Sequence, residues 1–219
     1  MSSTSPSQGF LHSLLRRCHG ISRFSSGTVS SSQQGRSWLE VSRSAILGNF
    51  FAFQDILPSH MSIMPVVKGN GYGHGMFEVA SILLSNAHYF AVVSTEEALA
   101  LRDRGITTPI LVFSPVSFDS RTLMRAIRKD ISFTVYDRYS YRALAEAAEK
   151  VKKRVRVHIN IDTGMTRLGL DSKRHHALLT DICSHPYLLP EGLYSHLSSA
   201  DTDSEFSRCL LYTSPSPRD

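Results

Sequence analysis

A lysine ends the apolar run Met64-Pro65-Val66-Val67-Lys68, and Gly69-Asn70-Gly71-Tyr72-Gly73-His74-Gly75 follows at once. A lysine leaving a buried strand loses hydration, which favours the neutral amine. The neutral amine is the form that condenses with a carbonyl to give a Schiff base. Four alternating glycines carry no side-chain bulk, so backbone can approach a bound group closely. Tyr72 projects a phenolic hydrogen-bond donor from the same loop. For Lys68 taken alone, a surface lysine before a glycine-rich turn is the plainer alternative.

A second dense loop is Asp162-Thr163-Gly164-Met165-Thr166-Arg167-Leu168-Gly169. An arginine held there donates to a phenolate or carboxylate oxygen. The plainer alternative is an Asp162–Arg167 surface pair that closes a turn and contributes little. His196, in Tyr194-Ser195-His196-Leu197, is placed to lie against a planar ring or to hold another side chain. His74 and His158 read as structural.

These residues need elements to position them. From Trp38 onward, β-rich runs alternate with helical ones. The strand candidates are Trp38–Val41, Ser62–Val67, Tyr89–Val93, Ile110–Phe113, Ser132–Val135, Arg156–Ile161 and Gly192–Ser195. Helices are expected over Ser42–Asp55, Met76–Leu84, Glu96–Arg104, Ser120–Arg128, Arg138–Lys152 and Lys173–Ser184. Strands alternating with helices predict βαβ units and a parallel sheet. Apolar runs such as Ile110-Leu111-Val112-Phe113 suit a sheet covered on both faces. The fold class is α/β, with an open doubly wound sheet and a (β/α)8 barrel as the candidates. Neither a G-x-G-x-x-G fingerprint nor a Walker A loop is met, because Lys68 precedes its glycines. In a parallel barrel all strand C-termini open on one end, which carries the active site. Lys68, Arg167 and His196 each follow a different strand candidate and are delivered to that end, which points to an enzyme.

Composition narrows the classes further. The chain has 219 residues, 42% of them apolar and 20% charged. No stretch approaches the roughly 20 apolar residues that span a bilayer, so no membrane partner is expected. The net charge of +5 comes from 24 basic and 19 acidic residues. Arg16, Arg17, Arg23 and Arg36 all precede the first acidic residue, Glu40, which leaves the remainder nearly balanced. A charge excess confined to one end is not the footprint of a nucleic-acid-binding face. Cys18, Cys183 and Cys209 are odd in number, widely spaced and lack C-x-x-C, against a disulfide framework or a zinc site. Cys183 lies in an apolar helical stretch and reads as a core residue. Ten histidines include no pair with metal-ligand spacing, and adjacent His175 and His176 diverge on a helix.

The two ends differ from the middle. Residues 1–37 are rich in Ser and Arg and lack Asp and Glu, with Phe10, Leu11, Leu14, Leu15, Cys18 and Ile21 at helical spacing. That is the composition of an organellar transit peptide, or of a disordered leader. Residues 209–219 resemble the in-frame translation of a transposon-end adapter used in sequencing libraries. The expectation is that the natural frame departs near Arg208, with Pro215 and Pro217 stopping any helix. Three segments are thus expected: a leader over 1–37, a barrel domain over 38–208 and a non-native tail over 209–219.

Together the motifs resemble alanine racemase, a pyridoxal-phosphate enzyme with a (β/α)8 barrel and a second, β-rich domain. The resemblance is carried by Trp38-Leu39-Glu40-Val41, by Val66 to Gly75, by Asp162 to Gly169, and by Ser195-His196-Leu197-Ser198-Ser199-Ala200-Asp201. It covers Trp38 to Arg208, an incomplete TIM-type barrel without the second domain. It implies pyridoxal 5'-phosphate as cofactor, held by Lys68 as a Schiff base. Lys68 is also implied as one of two acid/base groups at the substrate Cα. Tyr72 would bond the cofactor phosphate, Arg167 its phenolic oxygen, and His196 would support the pyridine ring. The implied reaction interconverts L- and D-alanine in a homodimer. The second base, a tyrosine of the partner subunit, and the remaining phosphate contacts would lie beyond Arg208.

One departure falls at Asn160, where many members carry a lysine that becomes carbamylated. A neutral amide cannot carry that charge, so Arg167 is expected to be oriented through Asn160 with a small anion nearby. Rival expectations are a racemase of serine or of a broader amino-acid range, and a non-catalytic pyridoxal-phosphate-binding protein. The 219-residue chain itself is expected to be inactive and poorly soluble, because a barrel without its closing strands exposes unpaired edges. The family implies a cytoplasmic protein, and a genuine transit peptide implies a mitochondrion or plastid.

Overall fold

The computed structural model describes residues 39–113, 119–171, 175–202 and 204–213. The leader over 1–37 with Cys18, Trp38 and residues 214–219 of the tail lie outside the described residues.

Helices and strands alternate as the patterning requires. The elements are α1 (Arg43–Ile56), α2 (Met76–Leu83), β1 (Phe90–Val92), α3 (Thr95–Asp103), β2 (Ile110–Val112) and α4 (Ser120–Arg128). There follow β3 (Ile131–Val135), α5 (Arg138–Val151), β4 (Val155–Asn160), α6 (His176–Ser184), β5 (Leu188–Tyr194) and α7 (Ser204–Thr213). The starts of α1, α3, α4 and α5 coincide with capping residues, because a side-chain oxygen satisfies N–H groups that the first turn leaves unpaired. Asp119 accepts from Arg121 and Thr122 at the start of α4. Asp137 and Ser140 form a reciprocal capping box at α5.

The five strands pair in parallel in the order β1-β2-β3-β4-β5. Strands neighbouring in sequence are neighbours in space, with a helix in each of the four crossovers. This is the wall of a TIM-type barrel. Its two faces differ. Phe90, Val92, Ile110, Val112, Phe133 and Val157 share one face and join the core beneath the helices. The alternate residues of β1 and β2, Ala91 and Leu111, are buried but stand outside that cluster. Continued along the register, this second face becomes polar, through Ser132 and Thr134 to Arg156, His158 and Asn160. Period-2 alternation thus sorts an apolar helix-facing surface from a polar lumen-facing one.

A clasp at the N-terminal end of the wall sets the spacing of β2 and β3. Arg102 donates through Nη1 to the carbonyls of Thr108 (2.7 Å) and Ile106, and through Nε to Lys129 (3.0 Å). Its Nη2 reaches the Asp130 carbonyl at 3.3 Å. A guanidinium suits this place because its donors radiate in a fixed fork and match several carbonyls at once.

Several expectations are corrected. Leu39 to Val41 are not a strand, as they pair with no other strand among the described residues. The strand expected over Ser62–Val67 reduces to one bridge, Val66 to Ala91. Pro65 has no N–H to extend the ladder, although its carbonyl accepts from Ala91 at 3.0 Å. The strand expected at Gly192–Ser195 starts earlier, at Leu188, and ends at Tyr194. It runs through Pro190, and the register shifts between Val157 and His158 opposite. Cys183 is exposed, not core, because Leu178 and Ile182 take the inward face of α6.

Candidate active site

The segment after Lys68 is not an extended loop. Gly69, Asn70, Gly71 and Tyr72 all have φ between +53° and +62°, one turn of left-handed helix. An L-residue in this conformation costs roughly 1–2 kcal/mol, because Cβ crowds the following carbonyl. Alternate glycines therefore halve the strain of the turn. Asn70 and Tyr72 bear the remainder, and hydrogen bonds hold the turn closed. Gly71 N–H donates to the Val67 carbonyl at 2.9 Å, and Gly75 N–H to the Asn70 carbonyl at 2.9 Å. The Asn70 side chain accepts the Met76 N–H at 3.0 Å, which joins the turn to the start of α2. Lys68 is half-buried behind the fully buried Val67, while Tyr72 is 71% exposed.

The second loop leaves β4 and returns to it. Ile161 bridges Leu170 in parallel, with Asp162 N–H donating to the Leu170 carbonyl (3.0 Å) and Leu170 N–H to that of Asn160 (2.8 Å). Asp162 does not pair with Arg167 among the described residues. Its carboxylate accepts the N–H groups of Gly164 (2.9 Å) and Thr166 (3.0 Å). Those bonds, Thr166 first, hold its pKa below the usual carboxylate range. Arg167 is exposed on this loop. The Asn160 amide donates to the Leu168 carbonyl at 3.3 Å, so its recorded contact is to the backbone beside Arg167.

The loop carrying His196 is tied to the loop carrying Arg167. Ser195 Oγ donates to the Ile161 carbonyl at 2.7 Å. With that hydrogen committed, Thr163 Oγ1 is the donor to Ser195 Oγ at 2.6 Å, and the His196 carbonyl lies 3.2 Å from the same hydroxyl. Lys68 and Tyr72 thus stand at the β1 edge of the wall. Arg167 and His196 stand together at the β4–β5 edge. All four lie at the C-terminal end of the strands.

Comparison with known proteins places the chain in a family. Residues 41–210 match the family model described as alanine racemase, N-terminal domain. The chain belongs to the alanine racemase family. It is 40% identical over 166 residues to an alanine racemase of Methanococcus maripaludis, covering 75% of this chain and 44% of that one. Its fold matches the alanine racemase of Clostridium difficile 630 in complex with cycloserine, at a TM-score of 0.66 and 30% identity, over 71% and 43% of the two chains. A histidine racemase of Leuconostoc mesenteroides matches at 0.69 and 27% identity, over 80% and 48%. The chain spans less than half the length of these alanine racemase family relatives.

Three lumen-facing groups, Tyr194, Tyr89 and His158, carry no functional role in the sequence reading, which takes His158 as structural. Tyr194 points its phenol to Thr134 Oγ1 (3.1 Å) and its ring to Phe113 (5.7 Å). Burial raises its pKa, while the Thr134 bond and the charge of Arg167 oppose the shift. The signal was available, since Tyr194 and His196 share parity on one extended segment. Lower in the lumen, Tyr89 bonds Ser132 and donates to Glu191 Oε2 (3.0 Å), and burial pushes its pKa up to about 12. His158 Nε2 lies 3.5 Å from the same Glu191 oxygen, without hydrogen-bond geometry.

Burial pushes the pKa of His158 down, Arg156 adds to the shift, and Glu191 opposes it. Folding therefore disfavours its protonation. Stability from this source is complete above the unfolded imidazole value of about 6.5 and is lost as pH falls from there through the lower folded value. Urea midpoints measured between about pH 7 and 5 should fall less steeply in His158→Gln than in the unmutated chain. Equal slopes would show that His158 does not contribute to this limb.

Proposed function

We propose that these residues form the lysine-bearing half of a pyridoxal-phosphate-dependent alanine racemase site. The observation that carries the reading is the left-handed turn. It launches Lys68 from the C-terminal end of the wall that also presents Arg167 and His196. The donor set fits the cofactor: an amine for its carbonyl carbon, a phenol for its phosphate, and a guanidinium for its phenolic oxygen. Lys68, Tyr72, Arg167 and His196 are the residues that would hold it. Pyridoxal phosphate, when bound, supplies the electron sink that stabilises negative charge at Cα. Lys68 Nζ takes up or returns the Cα proton on its own face of the substrate. Arg167 would donate to the phenolic oxygen through its planar guanidinium, and His196 would support the ring. Racemisation needs a second base on the opposite face. The resemblance assigns it to a partner subunit of a homodimer.

Two assays test this. The first is reduction with borohydride in the presence of pyridoxal phosphate, followed by peptide mapping. The second is exchange of the Cα hydrogen of L- and D-alanine in heavy water, with the longer reading frame where the source DNA encodes one. Trapping at Lys68 with exchange from both enantiomers is expected. Trapping spread over surface lysines, or no exchange by the longer protein, would overturn the reading. Likeness to a histidine racemase favours including histidine as a substrate in the same assay.

A further inference from the structure

Helix α3 opens with Ser94-Thr95-Glu96-Glu97, the spacing of a capping box. The first half of the box forms: Ser94 Oγ accepts the Glu97 N–H at 3.1 Å. In a complete box the glutamate would return to the backbone N–H of the capping residue. Here the carboxylate is diverted. Oε2 accepts the N–H of Val93, the first residue beyond β1, at 2.9 Å. Oε1 accepts the N–H of Gly69, the residue after Lys68, at 2.8 Å. One carboxylate thus joins two neighbouring strand ends at the mouth of the wall, across 28 residues of sequence.

We propose that Glu97 is the positioning residue for Lys68, acting through the Gly69 amide. This rests on the reading of Lys68 as the cofactor-binding lysine. Gly69 is where the backbone turns left-handed, with φ +59°. Nothing lies within 4 Å of where a Cβ on Gly69 would stand, so side-chain packing does not hold the turn at that point. The hydrogen bond to Glu97 does, and it fixes the peptide plane from which Lys68 departs. Both oxygens are needed. An amide at position 97 keeps one acceptor and turns a donor against the other N–H. A charged acceptor also bonds a backbone N–H more strongly than a neutral one.

The test uses the full chain, pyridoxal phosphate as probe, and three variants: Glu97→Gln, Glu97→Ala and, as control, the exposed neighbour Glu96→Ala. Reductive trapping on Lys68 is titrated with cofactor and mapped by mass spectrometry, and amide exchange is followed residue by residue. The concentration for half-maximal trapping at Lys68 is expected to rise about tenfold in Glu97→Gln and further in Glu97→Ala. Gly69 and Val93 amides should exchange faster, with β3 and β4 protected as before. Glu96→Ala should match the unmutated chain. Equal trapping in all chains would overturn the assignment, as would an effect of Glu96→Ala equal to that of Glu97→Ala. Loss of β3 and β4 protection in both Glu97 variants would also overturn it, by showing a role in folding. Absence of trapping at Lys68 in the unmutated chain is a distinct result, and it overturns the cofactor reading itself.

Discussion

Lys68→Ala should abolish reductive trapping of pyridoxal phosphate at position 68 and lower racemisation by the longer protein by at least about a thousandfold. General acid–base catalysis alone contributes about 10²–10⁴, and loss of covalent attachment adds to that. Lys68→Arg should fail equally. A guanidinium keeps the charge but remains protonated and cannot condense with a carbonyl. Neither substitution should unfold the chain, because the Lys68 ammonium has no ion pair among the described residues and the side chain is only half-buried. A thermal midpoint within a degree or two of the parent, with no trapped cofactor, is the expected pair of results. Trapping that persists at another lysine with activity retained would remove Lys68 from the chemistry.

Gly169→Ala should be the most damaging single methyl group in the second loop. Gly169 has φ +131°, and a Cβ there would stand 2.6 Å from the Asp162 nitrogen and 3.0 Å from its Cα. Both contacts are to backbone, so no side chain can swing away. Relief requires opening the Ile161–Leu170 bridge, which closes the loop bearing Arg167. A cost of about 3 kcal/mol, from strain plus lost backbone hydrogen bonds, translates to about 6–12 °C in thermal midpoint for a domain of this size. Gly105→Ala is the matched control. Gly105 also has positive φ (+86°), but nothing lies within 4 Å of its would-be Cβ. Conformational strain alone, about 1 kcal/mol, is expected there. Equal losses at the two positions would show that the close approach at Gly169 relaxes without consequence.

The two glycines illustrate what a sequence hides. Each reads as a turn residue, and only the fold shows which one has a neighbour against it. The same holds for the Lys68 segment. Its alternating glycines are legible as freedom from side-chain bulk, but the left-handed turn they permit depends on Val67, Asn70 and Glu97 holding it closed. Glu97 is legible as half of a capping box, since Ser94 lies three residues earlier. Its diversion to Gly69 is not legible, because a partner 28 residues away is brought near only by parallel pairing of Val66 with Ala91.

Local pattern was enough for much of the architecture. Apolar periodicity and capping residues determined the order of strands and helices from β1 to α6 within a residue or a few, because these signals act within one turn or one pleat. The alternation itself implied parallel pairing and put Lys68, Arg167 and His196 at one end of the wall. The misplaced elements share a cause. Leu39–Val41 and Ser62–Pro65 have strand composition, yet a strand exists only where a neighbour completes its ladder. At β5, Pro190 reads as a breaker but is tolerated on a strand that pairs only with β4 among the described residues, opposite a register shift. Cys183 shows that an apolar helix does not reveal which of its residues face inward. The sequence by itself determined the family and the element order from β1 to α6, and it named the candidate chemistry-bearing residues, all encoded in short contiguous motifs. Tertiary structure alone decided the polar lumen face of Ser132, Thr134, His158, Asn160 and Tyr194, the two-edged placement of the site and the reach of Glu97. Those depend on register and on contacts between residues far apart in the chain.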